Sequence, residues 1–278
     1  MSLDPTYLLI SLGAVLIGAL SGGLGSYALL RRESLLGDAV SHAALPGVVL
    51  GYLVAGRAPL FLLLGAGLTG WLAALAALGV SRNTRVKFDS ALAIVLSAGF
   101  GLGVVLLGWI QNNPAAAQAG LNTFLFGQAA LILREDLVVI AVAGSVFVTL
   151  ILLFWKELAL AAFDPAYAAT AGYPVRMLDA GFMAILVLAI VVGLQAVGVV
   201  LMSALVVAPA AAARQWVHTL AAMMPLAAGL GAVAGLLGAL WSTASGVPTG
   251  PAIVMVLGVI VLISLLLAPE RGVLRRAR

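Results

Sequence analysis

The sequence predicts an all-α fold, a polytopic membrane helical bundle of about nine transmembrane helices, with eight as the alternative count. Three observations carry that expectation. Of the 278 residues, 64% are hydrophobic and only 9% are charged, far from the balance of a water-soluble domain. Apolar runs of about 17 to 25 residues, long enough to cross a bilayer, recur along the whole chain. The polar stretches between them leave no room for a soluble domain, so residues 1–278 are expected to form one membrane domain.

The first run, Tyr7 to Leu30, is preceded by Asp4 where a secretory signal would carry positive charge. It is also too long for a signal's apolar core, so it counts as a span. Length places further spans at Leu35 to Ala55, Pro59 to Val80, Ser90 to Ile110 and Asp136 to Trp155. The series continues with Met177 to Leu194, Val197 to Ala213, Thr219 to Leu240 and Gly250 to Ala268. Between the fourth and fifth, Leu121 to Leu133 is apolar but only about 13 residues long, which favours a re-entrant or interfacial helix. Half-crossing backbone is tolerated only where protein or a water-filled cavity covers it, so this piece is expected at a cavity mouth. The pairs Gly18 and Gly22, Gly99 and Gly103, and Gly231 and Gly235 would let helices approach closely in lipid, which suits a compact bundle.

Nine crossings put the termini on opposite sides, and the basic residues choose the orientation. One choice gathers Arg31, Arg32, Arg82, Arg85, Lys87, Lys156, Arg176, Arg214, Arg271, Arg275, Arg276 and Arg278 in the cytoplasm. Of the 14 basic residues it leaves only Arg57 and Arg134 outside. The N-terminus is then external and the C-terminus cytoplasmic. An eight-span reading, in which residues 177–213 cross once, fits these charges worse. The net charge of +4 therefore marks topology and implies no nucleic-acid partner. With no cysteine, disulfides and thiolate ligands are excluded, and any metal must use Asp, Glu, His, Met, backbone or water.

One of only two histidines lies inside the second span, in "SLLGDAVSHAALPG". Helical spacing puts Asp38 and His42 on one face with Ser41 beside them. Ionisable groups within a membrane cost a few kcal/mol even on lenient scales, so they usually face a cavity and serve a purpose. Pro46 has no N–H for the carbonyl four residues back, which frees the His42 carbonyl beside its own imidazole. A carboxylate, an imidazole and a bare carbonyl suit a divalent cation. The bland alternative makes Asp38 a shallow group paired with Arg31 or Arg32 and His42 a packing residue. One helix supplies too few ligands for a closed site, whereas a two-fold dimer would bring two Asp and two His together.

Between the fifth and sixth spans, "KELALAAFDPAYAATAGYPVR" (156–176) forms a cytoplasmic loop. Asp164, Pro165 and the alanine-rich run up to Gly172 read as a short helix with an N-cap, a first-position proline and a glycine stop. Such a helix could be a plain connector. The chain also lacks a G-x-x-x-x-G-K-[ST] phosphate loop, so it is not expected to be an enzyme. If ATP drives transport here, the ATPase is a separate subunit, and this helix is what it would grip.

Four stretches in order, "RRESLLGDAVSHAALPGVVLGYL", "KELALAAFDPAYAATAGYPV", "QAVGVVLMSALVVAPAAAAR" and "SGVPTGPAIVMVLGVIVLISLLLAP", resemble the membrane permease subunits of ABC importers for manganese, zinc and iron. The resemblance covers nearly the whole chain. It implies a type II ABC importer-like bundle in a prokaryotic cytoplasmic membrane, a homodimeric permease, a cytoplasmic ABC ATPase carrying the ATP, and an extracytoplasmic metal-binding protein. It implies no permanently bound cofactor, only the transported ion. Related larger importers have ten helices; dropping the first leaves nine with an external N-terminus. Carried onto this sequence, the family's intramembrane ligands match Asp38 and His42, and its ATPase-coupling helix matches Asp164, Pro165, Ala166, Tyr167 and Gly172. "APAAAAR" has Ala where many relatives have Thr, which puts a role for that hydroxyl in doubt.

Pro209 frees the Leu205 carbonyl as Pro46 frees that of His42, so the two segments are candidate counterparts in an internal repeat around a midplane site. Ser41, Pro46, Gln195 and Pro209 are candidate pathway residues; Asp89, Asp179 and Gln128 are weighed more as capping or packing groups. The preferred ion is manganese, then zinc, then iron, since carboxylate and imidazole without thiolate lean away from soft metals. From a different class, an ion-coupled secondary transporter could use the same pair as its relay. An intramembrane serine protease around "TASG" (243–246) lacks a suitable histidine, His218 lying at the opposite membrane face.

Overall fold

The computed structural model describes residues 5–56, 58–112, 134–269 and 272. Among them every regular element is an α-helix: α1 (Pro5–Leu30), α2 (Leu36–Ala55), α3 (Pro59–Asn83), α4 (Phe88–Gln111), α5 (Arg134–Leu153), α6 (Trp155–Phe163), α7 (Pro165–Thr170), α8 (Val175–Val197), α9 (Val199–Ala213), α10 (Leu220–Ser245) and α11 (Thr249–Leu267). The stretch Leu121 to Leu133, with Gln128, lies outside the described residues, as does Arg57.

Eight of these helices (α1 to α5, α8, α10 and α11) are long and apolar enough to cross a membrane. The expected seventh span is present as α9, but its 15 residues reach only about 22 Å at 1.5 Å per residue, short of a ~30 Å hydrocarbon core. Nor do residues 177–213 form one continuous crossing. Gly198, at φ 86°, separates α8 from α9 in a conformation that glycine adopts without penalty. A second difference is α6: the fifth helix stops at Leu153, Phe154 leaves helical geometry, and the helix-favouring "WKELALAAF" starts a new helix in what the sequence suggested was loop.

The helices form two compact units. In the first (1–34, 128–178 and 204–278), α1 packs along α10, α5 flanks α1, and α11 packs on α10. The predicted small-residue pairs make the first contact. A Cβ at Gly18 would overlap the backbone carbonyl of Gly231, one at Gly22 would meet Ala227, and one at Gly235 would meet Ala14. Packing and hydrogen bonds must hold such helices together, because lipid tails are as apolar as the side chains. The α10–α11 turn is tied by Ser242, whose Oγ donates to the Val247 carbonyl (2.7 Å) and lies 2.9 Å from the Thr249 hydroxyl.

In the second unit (35–127 and 179–203), α2 lies between α3 and α4. Gly47 and Gly65 meet backbone to backbone, Gly51 abuts the Phe61 carbonyl, and Gly99 and Gly103 of α4 receive Ala43 and Leu45 of α2. The result is a helix buried along most of its length, from Leu36 to Gly51. By contrast α3, α4, α5 and α11 expose rows of large apolar side chains such as Leu60, Leu64 and Leu68, or Val259, Leu262 and Leu266. In water such surfaces would associate; in a bilayer they are the solvated surface.

At the Gly47–Gly65 crossing there is no space for a side chain. Gly65→Val is expected to cost about 1–3 kcal/mol, read as a lower unfolding temperature in detergent. Gly79→Ala on the same helix, where a Cβ meets nothing within 4 Å, is expected to be neutral or slightly stabilising.

Candidate functional site

Asp38 lies in the first turn of α2, and His42 follows it by one turn. Their side chains meet, with Asp38 Oδ1 3.4 Å from His42 Nε2. Both are partly accessible, Asp38 at 35% and His42 at 19%, on a helix whose neighbouring positions Ala39, Val40, Ser41, Ala43 and Ala44 are buried. The imidazole stands edge-on to Phe100 of α4, ring centroids 5.0 Å apart and planes at 82°. Its Nδ1 is buried and has no hydrogen-bond partner among the described residues. A buried ring nitrogen without a partner is costly, so a bound water is expected to complete it.

The neighbouring residues divide by role. Ser41 is fully buried, and its Oγ donates to the Gly37 carbonyl at 2.7 Å, so the hydroxyl is committed to its own helix. Pro46 sits inside α2, buried, without the N–H that would close a bond to His42. Pro209 lies inside α9, in the first unit, with its Cβ packed toward Gly22 of α1. Gln195 is on α8, but its side chain falls outside the described residues. Among the described residues no group of three or more His, Cys, Asp or Glu could hold a metal. One copy of α2 therefore presents two ionisable side chains. Phe100 was not singled out from the sequence: it lies 58 positions from His42, and only the α2–α4 packing brings them together. The Gly99 and Gly103 spacing was the one available hint.

Asp179 is almost wholly buried, at 3% exposure, and accepts a hydrogen bond from the Arg82 guanidinium, so it is a packing group of the second unit. Ser245 and Gly246 simply end α10, with Gly246 in left-handed geometry. A cavity of about 1250 Å³ opens between α1, α5, α6 and α10, but none of the predicted site residues lines it.

The loop helix forms as its sequence requires. Asp164 Oδ1 accepts the Tyr167 N–H at 2.9 Å, Pro165 takes the first helical position, and Gly172 adopts φ 87°. Beyond α7 the Tyr173 N–H reaches the Ala168 carbonyl (3.1 Å) and the Gly172 N–H the Ala169 carbonyl (3.2 Å), the paired bonds of a Schellman stop. Only Ala168 of α7 is buried, while Phe163, Tyr167, Tyr173 and Met177 stand exposed. A helix of six residues has little stability of its own, so both ends matter. Asp164→Ala is expected to cost about 0.5–2 kcal/mol of local stability, seen as faster hydrogen exchange at the Tyr167 amide with α10 unchanged.

Comparison with known proteins places these features in a family. Residues 6–268 match the model of the ABC 3 transport family. The chain is 47% identical over 273 residues to the zinc transport system membrane protein TroC of Treponema pallidum, covering 98% of this chain and 92% of that protein. It is 44% identical over 267 residues to the manganese transport system membrane protein MntC of Bacillus subtilis, covering 95% of this chain but 61% of that longer protein. Among solved structures, PsaBC from Streptococcus pneumoniae in complex with Fab superimposes with a TM-score of 0.87 at 30% identity, over 99% of this chain and 96% of that one. A multi-pass helical bundle with a polar pair in its most buried span and a capped loop helix thus agrees with the sequence match: the chain belongs to the ABC 3 transport family.

Proposed function

We propose that the chain is the permease subunit of an ATP-driven importer of divalent metal ions, with Asp38 and His42 as ligands of the ion in passage. The observation that carries this reading is their geometry. Two ligand atoms 3.4 Å apart, each about 2.1 Å from one ion, subtend roughly 110° at the metal, an angle that tetrahedral or mildly distorted octahedral coordination accepts. The remaining positions fall to water, the His42 carbonyl that Pro46 leaves without its N–H, and a second copy of α2 across a two-fold axis. A sparse shell suits transport, because an ion held in a complete cage would not be released.

The ion is proposed to be manganese first, then zinc, then iron. An oxygen and nitrogen donor pair without sulfur accepts all three and disfavours softer metals. The relatives named above include one zinc and one manganese system, which supports the first two.

The remaining parts follow from charge and exposure. Basic residues favour an external N-terminus and a cytoplasmic C-terminus, which puts α6 and α7 in the cytoplasm. There Tyr167 of α7 and the flanking Phe163 and Tyr173 are exposed aromatic side chains, which suit a protein partner. That partner is proposed to be the ATPase, gripping residues Asp164 to Gly172, with a metal-binding protein delivering the ion from outside and a second permease copy completing the pore. The whole of residues 1–278 then acts as one permease domain, and ATP hydrolysis belongs to the partner.

Proteoliposomes holding permease, ATPase and binding protein test the reading. ATP-dependent manganese uptake is expected, with zinc competing. Asp38→Asn and His42→Ala are expected to reduce uptake by about 100-fold or more, beyond the 10–100-fold that loss of an outer-shell partner costs, while the complex still assembles. Uptake that continues without the ATPase and collapses with an uncoupler would support ion-coupled secondary transport instead.

A further inference from the structure

Neither the ligand pair nor the loop helix explains the ion pair between Arg82 and Asp179. The two residues are 97 positions apart, Arg82 in the last turn of α3 and Asp179 near the start of α8. Asp179 is 3% exposed, whereas Arg82 keeps 38% of its side chain accessible. A buried carboxylate needs its cation, since alone it would carry the full cost of desolvation. The pair therefore holds the end of α3 and the beginning of α8 at one distance.

What lies on either side of the pair gives it a purpose. Toward the loop, α8 begins three residues after the Gly172 stop, and the Met177 and Leu178 amides both bond to the Pro174 carbonyl. The loop and the first turn of α8 are thus continuous hydrogen-bonded backbone. Asp179 follows directly on that turn within α8, and Arg82 binds it there. Toward the ligands, α3 meets α2 backbone to backbone at Gly47 and Gly65, with the Thr69 hydroxyl alongside, and again where Gly51 abuts the Phe61 backbone, contacts made mainly by groups that have little freedom to yield. Gly70 of α3 lies between Val40 of α2 and Val187 of α8, and Val40 is one residue from Ser41 and two from both Asp38 and His42. Close-packed helices of this kind move together rather than deform.

We infer that Arg82 and Asp179 are positioning residues, a strut that carries movement of the coupling loop through α8 and α3 to the Asp38–His42 pair on α2. The inference rests on the proposed role of α7 as the site where the ATPase grips. A pair that only stabilised the fold would, when weakened, lower uptake and hydrolysis together. A strut, when weakened, separates them, because ATP is still hydrolysed while less of the movement reaches the ligands.

The test measures ions imported per ATP hydrolysed in proteoliposomes containing the permease, ATPase and binding protein, with manganese as the probe. Arg82→Gln keeps a hydrogen-bond donor and removes the charge; Arg82→Lys keeps the charge. Arg82→Gln is expected to hydrolyse ATP within about twofold of the parent while ions per ATP fall about tenfold, and Arg82→Lys to recover the ratio to within about threefold, changes in the range of ordinary coupling energies. Parallel loss of uptake and hydrolysis, or an unchanged ratio, overturns the strut. If Arg82→Gln cannot be recovered from the membrane, Asp179→Asn, which removes the buried charge together with the pair, is read the same way. Tyr167→Ala is measured alongside. Normal ATPase binding there overturns the loop's role and so the origin of the movement; defective binding there with an unchanged Arg82→Gln ratio overturns the strut alone.

Discussion

In hydrocarbon no water is available to complete a peptide group, and apolar side chains gain nothing by leaving lipid for one another. A bundle in that solvent is held by close approach, and close approach needs small residues. The arrangement here follows from that constraint. Gly18 and Gly231 bring α1 and α10 into backbone contact, and Gly47 and Gly65 do the same for α2 and α3. With Gly99 and Gly103 admitting Ala43 and Leu45 from the other side, α2 becomes the best-covered helix of its unit.

That coverage is what makes a polar face on α2 tolerable. Asp38 and His42 offset each other across 3.4 Å, Ser41 bonds its own helix, and Phe100 covers the imidazole edge-on. The exception is the buried Nδ1 of His42, which has no hydrogen-bond partner among the described residues. The nitrogen that the proposed role gives to the ion is Nε2, which faces Asp38; Nδ1 is the other ring nitrogen, whose N–H would fix the tautomer that leaves Nε2 free to bind a metal.

The loop obeys a different solvent. In water α7 is too short to persist by propensity, so its ends are closed by side-chain and backbone bonds: Asp164 at the start, the Gly172 stop at the finish. An exposed six-residue helix whose ends are closed by its own bonds fits the proposed docking role, because ordering it on binding would cost affinity. The break at Phe154, which turns the chain from α5 into α6, sets where that helix stands relative to its own span.

The amino-acid order alone determined the membrane class, the positions of the long spans, the Asp38–His42 pair with its Pro46 offset, and the capped helix after Asp164. All of these depend on spacing within one helix or one turn, and local geometry follows from local sequence. The glycine pairs were legible as devices for close packing, but not which helix each would meet. Only the tertiary structure decided that Gly18 faces Gly231, that Phe100 meets His42, and that Asp179 is bound by Arg82. It also decided that α9 stops at 15 residues, because a glycine at positive φ ends one helix and begins another wherever packing requires it. Contacts between residues tens of positions apart depend on how helices pack, and in a chain where almost every helix face is apolar, hydrophobic pattern does not single out a partner.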